Sequence, residues 1–378
     1  MKLIHISDLH IGKRVHEFSM IEDQRYILNQ IGDIIENVKA DGVLIAGDVY
    51  DKSVPSAEAV QIFDSFLTRL SGAGIPVYII SGNHDSAERL SFGAELLKES
   101  GIYISRVYDG EIRTIETEDE YGPLYIHLLP FLKPSVVRHA LEREDITTCQ
   151  EAVEAALEKL KTDTEKRNVL VAHQFVLGAG RCDSEEVSVG GLDQIDGCVF
   201  DGFDYVALGH IHSPQHVGRE TIRYCGTPLK YSFSEAGHKK SVTVVELKEK
   251  GRIEIETIPL IPRLDLRKIK GTYLEVSDRK AYTEENRYDY MQITLTDEED
   301  VPNAMARLRT IYPNLMSLAY DNTRTRENRE IQGLQEQSRK TELELFGEFF
   351  EKLNNEPMKE EQEEYMKNLI RKLKEGDE

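Results

Sequence analysis

The chain has 378 residues, 40% of them hydrophobic, with 26 glycines and 12 prolines, a balance that excludes a disordered or collagen-like protein. Its 68 acidic side chains against 47 basic ones leave a formal charge of −21, which argues against holding nucleic acid on a generally basic surface. At ~100 to 200 residues per domain, this length predicts two or three domains.

The N-terminal segment, Met1 to Ser7, reads as a strand with no basic leader before it, and no window approaches the ~18 consecutive apolar residues of a membrane helix. The expectation is a cytoplasmic, unprocessed protein. Cys149, Cys182, Cys198 and Cys225 never fall at Cys-x-x-Cys spacing, so reduced thiols are expected rather than a zinc knuckle or a redox pair.

Lys2 to Ser7, Gly42 to Asp48 and Pro76 to Gly82 read as strands. Between them lie amphipathic helical stretches, Glu22 to Ala40 and Ser56 to Leu70, the second with Ser56 as its N-cap. This alternation predicts parallel strands with helical crossovers, an α/β layered domain. Strand-like segments follow at Ile102 to Ser105, Glu111 to Ile115 and Leu124 to Leu129, then helices from about Ser135 and from Thr148 to about Thr164. Strands return at Asn168 to His173, Tyr205 to His212, Ile222 to Cys225, Ser241 to Leu247 and Ile253 to Ile258. The first domain is expected to occupy residues 1–262.

Residues 263–320 read as a smaller α+β unit, with strands Gly271 to Val276, Tyr290 to Leu295 and Leu315 to Tyr320 and a helix at Val301 to Ile311. Residues 321–340 are almost wholly polar and charged, a linker composition. Within 341–378, Phe346, Phe349, Phe350 and Leu353 fall at helical spacing, as do Met366, Leu369, Ile370 and Leu373, predicting two short amphipathic helices. Their stripes are either ordinary core faces or a surface for another protein, and the charged segment before them favours the second.

The chemistry lies where apolar strands give way to loops. Five of the eleven histidines sit there, with two aspartates and an asparagine: Asp8 and His10, Asp48, Asn83 and His84, His173, and His210 and His212. In open α/β sheets, sites form beyond the carboxyl ends of strands, so these residues are expected to converge, and convergent Asp, His and Asn side chains mark a metal site. Asp8 with His10, and His210 with His212, are two residues apart, which in extended chain puts both side chains on one face. Asp48 has two oxygens with which to bridge two ions. Mixed imidazole, carboxylate and amide ligation suits Mn²⁺ or Fe²⁺, with Mn²⁺ favoured. Two divalent ions against the carboxylates of Asp8 and Asp48 leave a locally cationic cluster in an acidic chain.

Asp8-x-His10, Gly47-Asp48, Gly82-Asn83-His84-Asp85, Ala172-His173 and Gly209-His210-x-His212 together resemble the five motifs of the calcineurin-like metallophosphoesterases. With Tyr224-Cys225-Gly226-Thr227-Pro228 and Ser232-Phe233, the chain is similar over its whole length to the nuclease subunits of bacterial SbcCD complexes. The resemblance implies a layered β-sandwich flanked by helices, with the 263–320 unit as a DNA-capping domain. It implies one ion on Asp8, His10 and His212, the other on Asn83, His173 and His210, and Asp48 bridging. His84 would be the catalytic histidine that holds no metal, stabilising the transition state or protonating the leaving oxygen; Asp85 would orient it, and Asp51 would stand behind the ligands. The implied partners are DNA and an SbcC-like coiled-coil ATPase docking on the C-terminal helices, in a heterotetramer containing a homodimer of this chain, associated with the nucleoid.

The other histidines carry plainer readings. His5 lies inside a strand and reads as a hydrogen-bonded core histidine; His16, His127, His139, His216 and His238 have no partner motif, so structural or surface roles are expected. Against the nuclease stand two alternatives: a small-molecule or cyclic-nucleotide phosphoesterase of the same superfamily, and a DNA-end scaffold without catalysis. The segments beyond Pro262 disfavour the first, and the complete ligand set disfavours the second.

Overall fold

The computed structural model describes residues 1–160, 162–185 and 194–325, with 346, 358 and 362–367. Most of both C-terminal apolar stripes, and the charged segment from 326 onward, lie outside the described residues. The chain divides into two compact units, the first holding Met1–Ile269 with Arg279–Ile293 and Met305–Leu318, the second holding Lys270–Asp278, Thr294–Ala304 and Ala319–Glu378.

The first unit is built on two six-stranded sheets. One runs in the order Ile253–Pro259, Ser241–Leu247, Lys2–Ile6, Gly42–Ala46, Val77–Ile80, Ile102–Ile104, the last four parallel. The other runs Gln215–Val217, Arg219–Tyr224, Tyr205–Gly209, Arg167–His173, Gly122–Leu128, Arg113–Asp119. Period-two alternation decides what each face meets. Leu3, Leu44, Ala46, Tyr78 and Ile80 pack with Leu124, Ile126, Leu128, Val169, Val171, Tyr205 and Ala207 to form a core between the sheets. The alternate residues Ile4, Ile6, Val43, Ile45, Val77 and Ile79 face outward onto helices Ile21–Val38 and Ala57–Gly72. On the far side, Leu170, Ala172, Val206 and Leu208 pack with helices Pro134–Leu141 and Cys149–Leu160. Burying strands on both faces is why they read as continuous apolar runs. Ser56 caps the second helix as expected, accepting from the Ala59 N–H at 3.2 Å.

His5 is a polar residue in the inter-sheet core. Its Nδ1 lies 2.9 Å from the Tyr205 hydroxyl and its Nε2 3.2 Å from the Leu208 carbonyl, so both nitrogens are satisfied, as a core histidine requires. Burial drives its pKa down to about 3 despite the Leu208 bond. His127 is likewise structural, bonded to Thr114 and Asn168 at 2.9 and 3.1 Å.

Several expectations need correction. The predicted strand Gly271 to Val276 is instead the end of a strand, Leu266–Gly271, followed by helix Tyr273–Ser277. Thr272 and Glu275 form a capping box, which starts a helix at that point and ends the strand. The predicted helix 301–311 is shorter, Ala304–Arg309. A hairpin, Arg14–Val15 with Phe18–Ser19, and the short helices Ala87–Leu90 and Ala94–Leu97 had no expectation attached. The predicted strand Tyr205 to His212 stops at Gly209, because His210 takes a φ of +99°.

Candidate metal centre

The carboxyl ends of strands Lys2–Ile6, Gly42–Ala46, Val77–Ile80, Arg167–His173 and Tyr205–Gly209 bring together Asp8, His10, Asp48, Asn83, His84, His173, His210 and His212. The first two loops are locked to each other: Asp8 N–H donates to the Gly47 carbonyl at 3.0 Å, His10 to Asp48 at 3.0 Å, and Ile11 to Val49 at 2.9 Å. Asp8, His10 and Asp48 have φ values of +52°, +43° and +50°. Asp8 and His10 therefore do not share a face through an extended chain, as their spacing predicts. Left-handed backbone at both turns them inward instead, conformations sustained by the bonds to the neighbouring loop.

Glycine precedes three of the candidate ligands for want of space. A Cβ on Gly82 would lie 2.1 Å from Asp48 Oδ1, and one on Gly209 would lie 1.9 Å from the Ala46 carbonyl oxygen and 2.7 Å from His173 Nδ1. Gly47 has both a φ of +83° and a position 2.4 Å from that same nitrogen. The glycines let backbone approach ligand side chains closely.

Asp48 sits at the middle. Its Oδ1 accepts the His84 backbone N–H at 2.9 Å, which aims Oδ2 into the cluster, 3.4 Å from His173 Nε2, 3.7 Å from His10 Nε2 and 3.9 Å from His84 Nε2. Asn83 Oδ1 lies 3.0 Å from both His173 Nε2 and His210 Nδ1. On the other side, His10 Nε2 and His212 Nε2 face each other at 3.2 Å, with Asp8 in reach of both. Asp8 accepts the His210 backbone N–H at 3.0 Å and the Ser7 hydroxyl, and Ser7 in turn accepts the Cys225 thiol at 3.1 Å.

These atoms fit cations. His173 Nδ1 donates to the Ala46 carbonyl at 2.8 Å, so in the neutral ring Nε2 carries a lone pair, directed at the oxygens of Asn83 and Asp48. Three acceptors facing one another require a positive charge between them. In the metal-free chain a proton supplies it: burial lowers the His173 pKa, but the Asp48 charge and hydrogen bond outweigh burial and raise it to about 9. Burial likewise pushes Asp48 up, and the charge and hydrogen bond of His173, with His10 and His84, overcome it to hold the carboxyl far below its usual range. Burial raises Asp8, drives His10 well below the usual imidazole value, and lowers His210 to about 3, leaving both rings neutral and available as ligands. His10 Nδ1 is buried with no hydrogen-bond partner, 3.8 Å from Asp51 Oδ1.

His84 stands beside the cluster, its ring edge-on to His10 at 4.8 Å between centroids. Its Nδ1 bonds the Asp51 carbonyl at 3.2 Å. The Asp51 side chain meets Lys13 at 2.7 Å. The carboxylate of Asp85, the residue expected to orient His84, accepts the backbone N–H groups of Val49, Tyr50 and Gly82 at 3.1, 2.9 and 3.0 Å. It ties the Asp48 loop to the Asn83 loop. Burial and the Asp48 charge raise its pKa to about 6, against the pull of those three N–H groups.

Sequence reasoning missed the layer behind His212. Ser184 Oγ lies 2.7 Å from His212 Nδ1, Glu185 accepts the His212 backbone N–H at 2.7 Å, and buried Glu235 pairs with buried Lys240 at 2.5 Å. Burial pushes Glu235 up, but the His212 imidazole and the Lys240 ammonium outweigh it and hold the carboxyl well below the usual range. Ser232-x-x-Glu235 carries the spacing of a capping box, the one signal available, and a short 3₁₀ turn does begin there. Gln24 was also missed; its amide donates to the His10 carbonyl at 2.7 Å and to the Tyr231 hydroxyl at 3.0 Å.

The calcineurin-like phosphoesterase family matches residues 1–214, and the family described as the type 5 capsule protein repressor C-terminal domain matches residues 262–354. A curated relative, the SbcD subunit of the SbcCD nuclease of Staphylococcus epidermidis, is 30% identical over 377 residues, covering 98% of this chain and 98% of its own. Among solved structures, a dimetal phosphatase from Danio rerio aligns over 69% of this chain and 98% of its own at 11% identity and a TM-score of 0.39. TT1561 of Thermus thermophilus aligns over 68% of this chain and 98% of its own at 13% identity and a TM-score of 0.38.

Proposed function

The chain belongs to the calcineurin-like phosphoesterase family, and within it to the SbcD group; from that membership we propose that it is a metal-dependent DNA nuclease subunit working with an SbcC-like coiled-coil ATPase in repair and recombination. The observation that carries the chemistry is the position of Asp48 Oδ2, fixed by the His84 N–H on its sister oxygen and within 3.4 and 3.7 Å of ring nitrogens from opposite halves of the cluster. That geometry supports Asp48 as the bridge, with Asp8, His10 and His212 on one side and Asn83, His173 and His210 on the other. The donor set has imidazole, carboxylate and amide but no thiolate, which favours Mn²⁺.

Bound there, two divalent cations would supply Lewis acidity to phosphoryl oxygens and lower the pKa of a water nucleophile. The protein's own part is to hold and to deliver a proton. Asp48 and Asp8 are fixed by backbone N–H groups before any substrate arrives, so little reorganisation accompanies binding. His84 donates through Nδ1 to the Asp51 carbonyl, which leaves Nε2 facing the cluster, placed to stabilise the developing charge or, once protonated, to protonate the leaving oxygen.

By the same reading, residues 1–262 form the nuclease domain, 263–320 a DNA cap, and the chain beyond residue 320 carries the partner-docking role. The assembly is a heterotetramer containing two copies of this chain, located in the cytoplasm at the nucleoid. End-labelled single-stranded, duplex and hairpin DNA, incubated with Mn²⁺ or Mg²⁺ with and without the ATPase, tests it. The expected result is Mn²⁺-dependent cleavage, slow on single strands for this chain alone and efficient on duplex ends and hairpins with the ATPase and ATP. Rapid hydrolysis of a mononucleotide phosphoester with no action on any DNA would overturn it in favour of a small-molecule phosphoesterase.

A further inference from the structure

Four of the candidate ligands are rings whose usefulness depends on which nitrogen carries the proton. For His173 the backbone decides, through the Ala46 carbonyl. For His212 side chains decide, and they can be followed atom by atom. Lys240 Nζ donates to Glu235 Oε2 at 2.5 Å, Thr227 Oγ1 at 2.6 Å and the His212 carbonyl at 2.8 Å, which uses all three protons of an ammonium. Glu235 is fully buried against it and is the carboxylate of an ion pair. Its other oxygen, Oε1, lies 2.6 Å from Ser184 Oγ. A carboxylate has no proton to give, so the single hydroxyl proton of Ser184 goes to Glu235. Ser184 Oγ, 2.7 Å from His212 Nδ1, is then left only as an acceptor. The reverse arrangement would set two bare oxygens, one of them a charged and buried carboxylate oxygen, against each other at 2.6 Å.

We propose that Ser184, polarised by the Glu235–Lys240 ion pair, is a positioning residue that fixes the proton of His212 on Nδ1 and presents Nε2 unprotonated, beside His10 Nε2, to a divalent cation. The inference rests on the reading of this cluster as a metal site. Glu185 completes the clamp by holding the His212 backbone N–H at 2.7 Å, while Lys240 holds its carbonyl, so ring and backbone of this one ligand are both gripped. An outer partner that fixes ring orientation and tautomer in this way usually contributes ~10 to 100-fold in metal affinity.

The test uses the full chain, stripped of metal by chelation and labelled with ¹⁵N-histidine, with the His212 resonance assigned by its loss in His212→Gln. Long-range ¹H–¹⁵N correlation is expected to find the His212 proton on Nδ1 in the parent and in Ser184→Thr, and to find the Nε2–H form populated in Ser184→Ala and Ser184→Val. Titration with Mn²⁺ is expected to show one affinity weakened by ~10 to 100-fold in the Ala and Val variants, the other unchanged, and both restored in Ser184→Thr. The isosteric Thr and Val pair isolates the hydroxyl should the Ala variant fold poorly. An unchanged tautomer in Ser184→Val, or Thr as impaired as Val, would overturn the relay. A parent that binds no Mn²⁺ would overturn the metal reading instead, and the tautomer comparison in the stripped chain would still decide the relay.

Discussion

Gly209→Ala is expected to damage both stability and metal binding through one methyl group. Gly209 pairs with His173 across two parallel strands, and its added Cβ would lie 1.9 Å from the Ala46 carbonyl oxygen and 2.7 Å from His173 Nδ1. Those two atoms are themselves hydrogen-bonded at 2.8 Å. The methyl cannot fit without parting them, and both neighbours are fixed, one being backbone in the middle of a sheet. Overpacking of this kind destabilises by ~1 to 3 kcal/mol. Breaking a buried hydrogen bond adds ~1 to 3 kcal/mol. Together these come to roughly 2 to 6 kcal/mol, a large part of the ~5 to 15 kcal/mol that holds a domain folded. At ~2 to 4 °C per kcal/mol for a domain this size, the melting temperature is expected to fall by roughly 4 to 24 °C. Thermal unfolding of the metal-free full chain, followed by circular dichroism and by Mn²⁺ titration, measures both effects. Gly237→Ala is the control, since a Cβ there meets nothing within 4 Å. A Gly209→Ala protein melting within a degree of the parent and binding Mn²⁺ normally would refute the argument that space, at this position, shapes the site.

Asp48→Asn and His84→Gln are expected to fail differently. The first should lose bound metal and cleavage together, whereas the second should keep metal and DNA binding and lose ~10² to 10⁴ in turnover, as metal content and nuclease rates will show. A pH effect follows from His5. Its folded pKa of about 3 lies below the unfolded value, so the unfolded chain takes up the proton first and stability is lost as pH falls from ~6.5 toward 3, by up to ~1.4 kcal/mol per pH unit. Denaturant unfolding between pH 7 and 4 should give a flatter curve for His5→Gln than for the parent, and parallel curves would contradict the assignment. Truncation after Tyr320 is expected to leave a metal-loaded phosphoesterase that no longer captures the ATPase, and undiminished co-purification would remove the docking role from the C-terminal stripes.

The convergence of the candidate ligands was legible because each follows an apolar run that reads as a buried strand, and strand ends converge whatever the loops do. The geometry at those ends was not legible. Asp8 and His10 alternate as an extended chain would, yet their positive φ values are set by bonds to Gly47 and Asp48, which no local pattern announces. The loop-tying bonds of Asp85 were not legible, since its three N–H donors come from two loops far apart in sequence. Ser184 and Lys240 gave no signal, because a serine in a polar loop and a lysine before a strand are ordinary until folding sets them around His212. At residues 271–276 a local signal was available, the Thr272 to Glu275 capping box, and the β-branched character of Thr272 and Val276 obscured it.

Charge bears on the proposed partnership. Basic side chains in the first unit are widely committed to acidic neighbours: Lys13 to Asp51, Arg167 to Asp119, Lys230 to Asp265, Lys240 to Glu235, Lys250 to Asp204 and Arg263 to Asp23. A duplex carries one negative charge per ~1.7 Å, and gripping it takes lysines and arginines free to displace its counterions. With these cations engaged and a formal charge of −21, the chain has no net surplus of positive charge for that task. One phosphate of a flexible strand asks less, because it needs only to reach the metal-filled cluster without laying the rest of the backbone along acidic protein. Under the proposed function, catalytic charge is concentrated at the strand ends and the grip on duplex DNA is expected to fall to the ATPase, so that efficient cutting of duplex ends should require assembly.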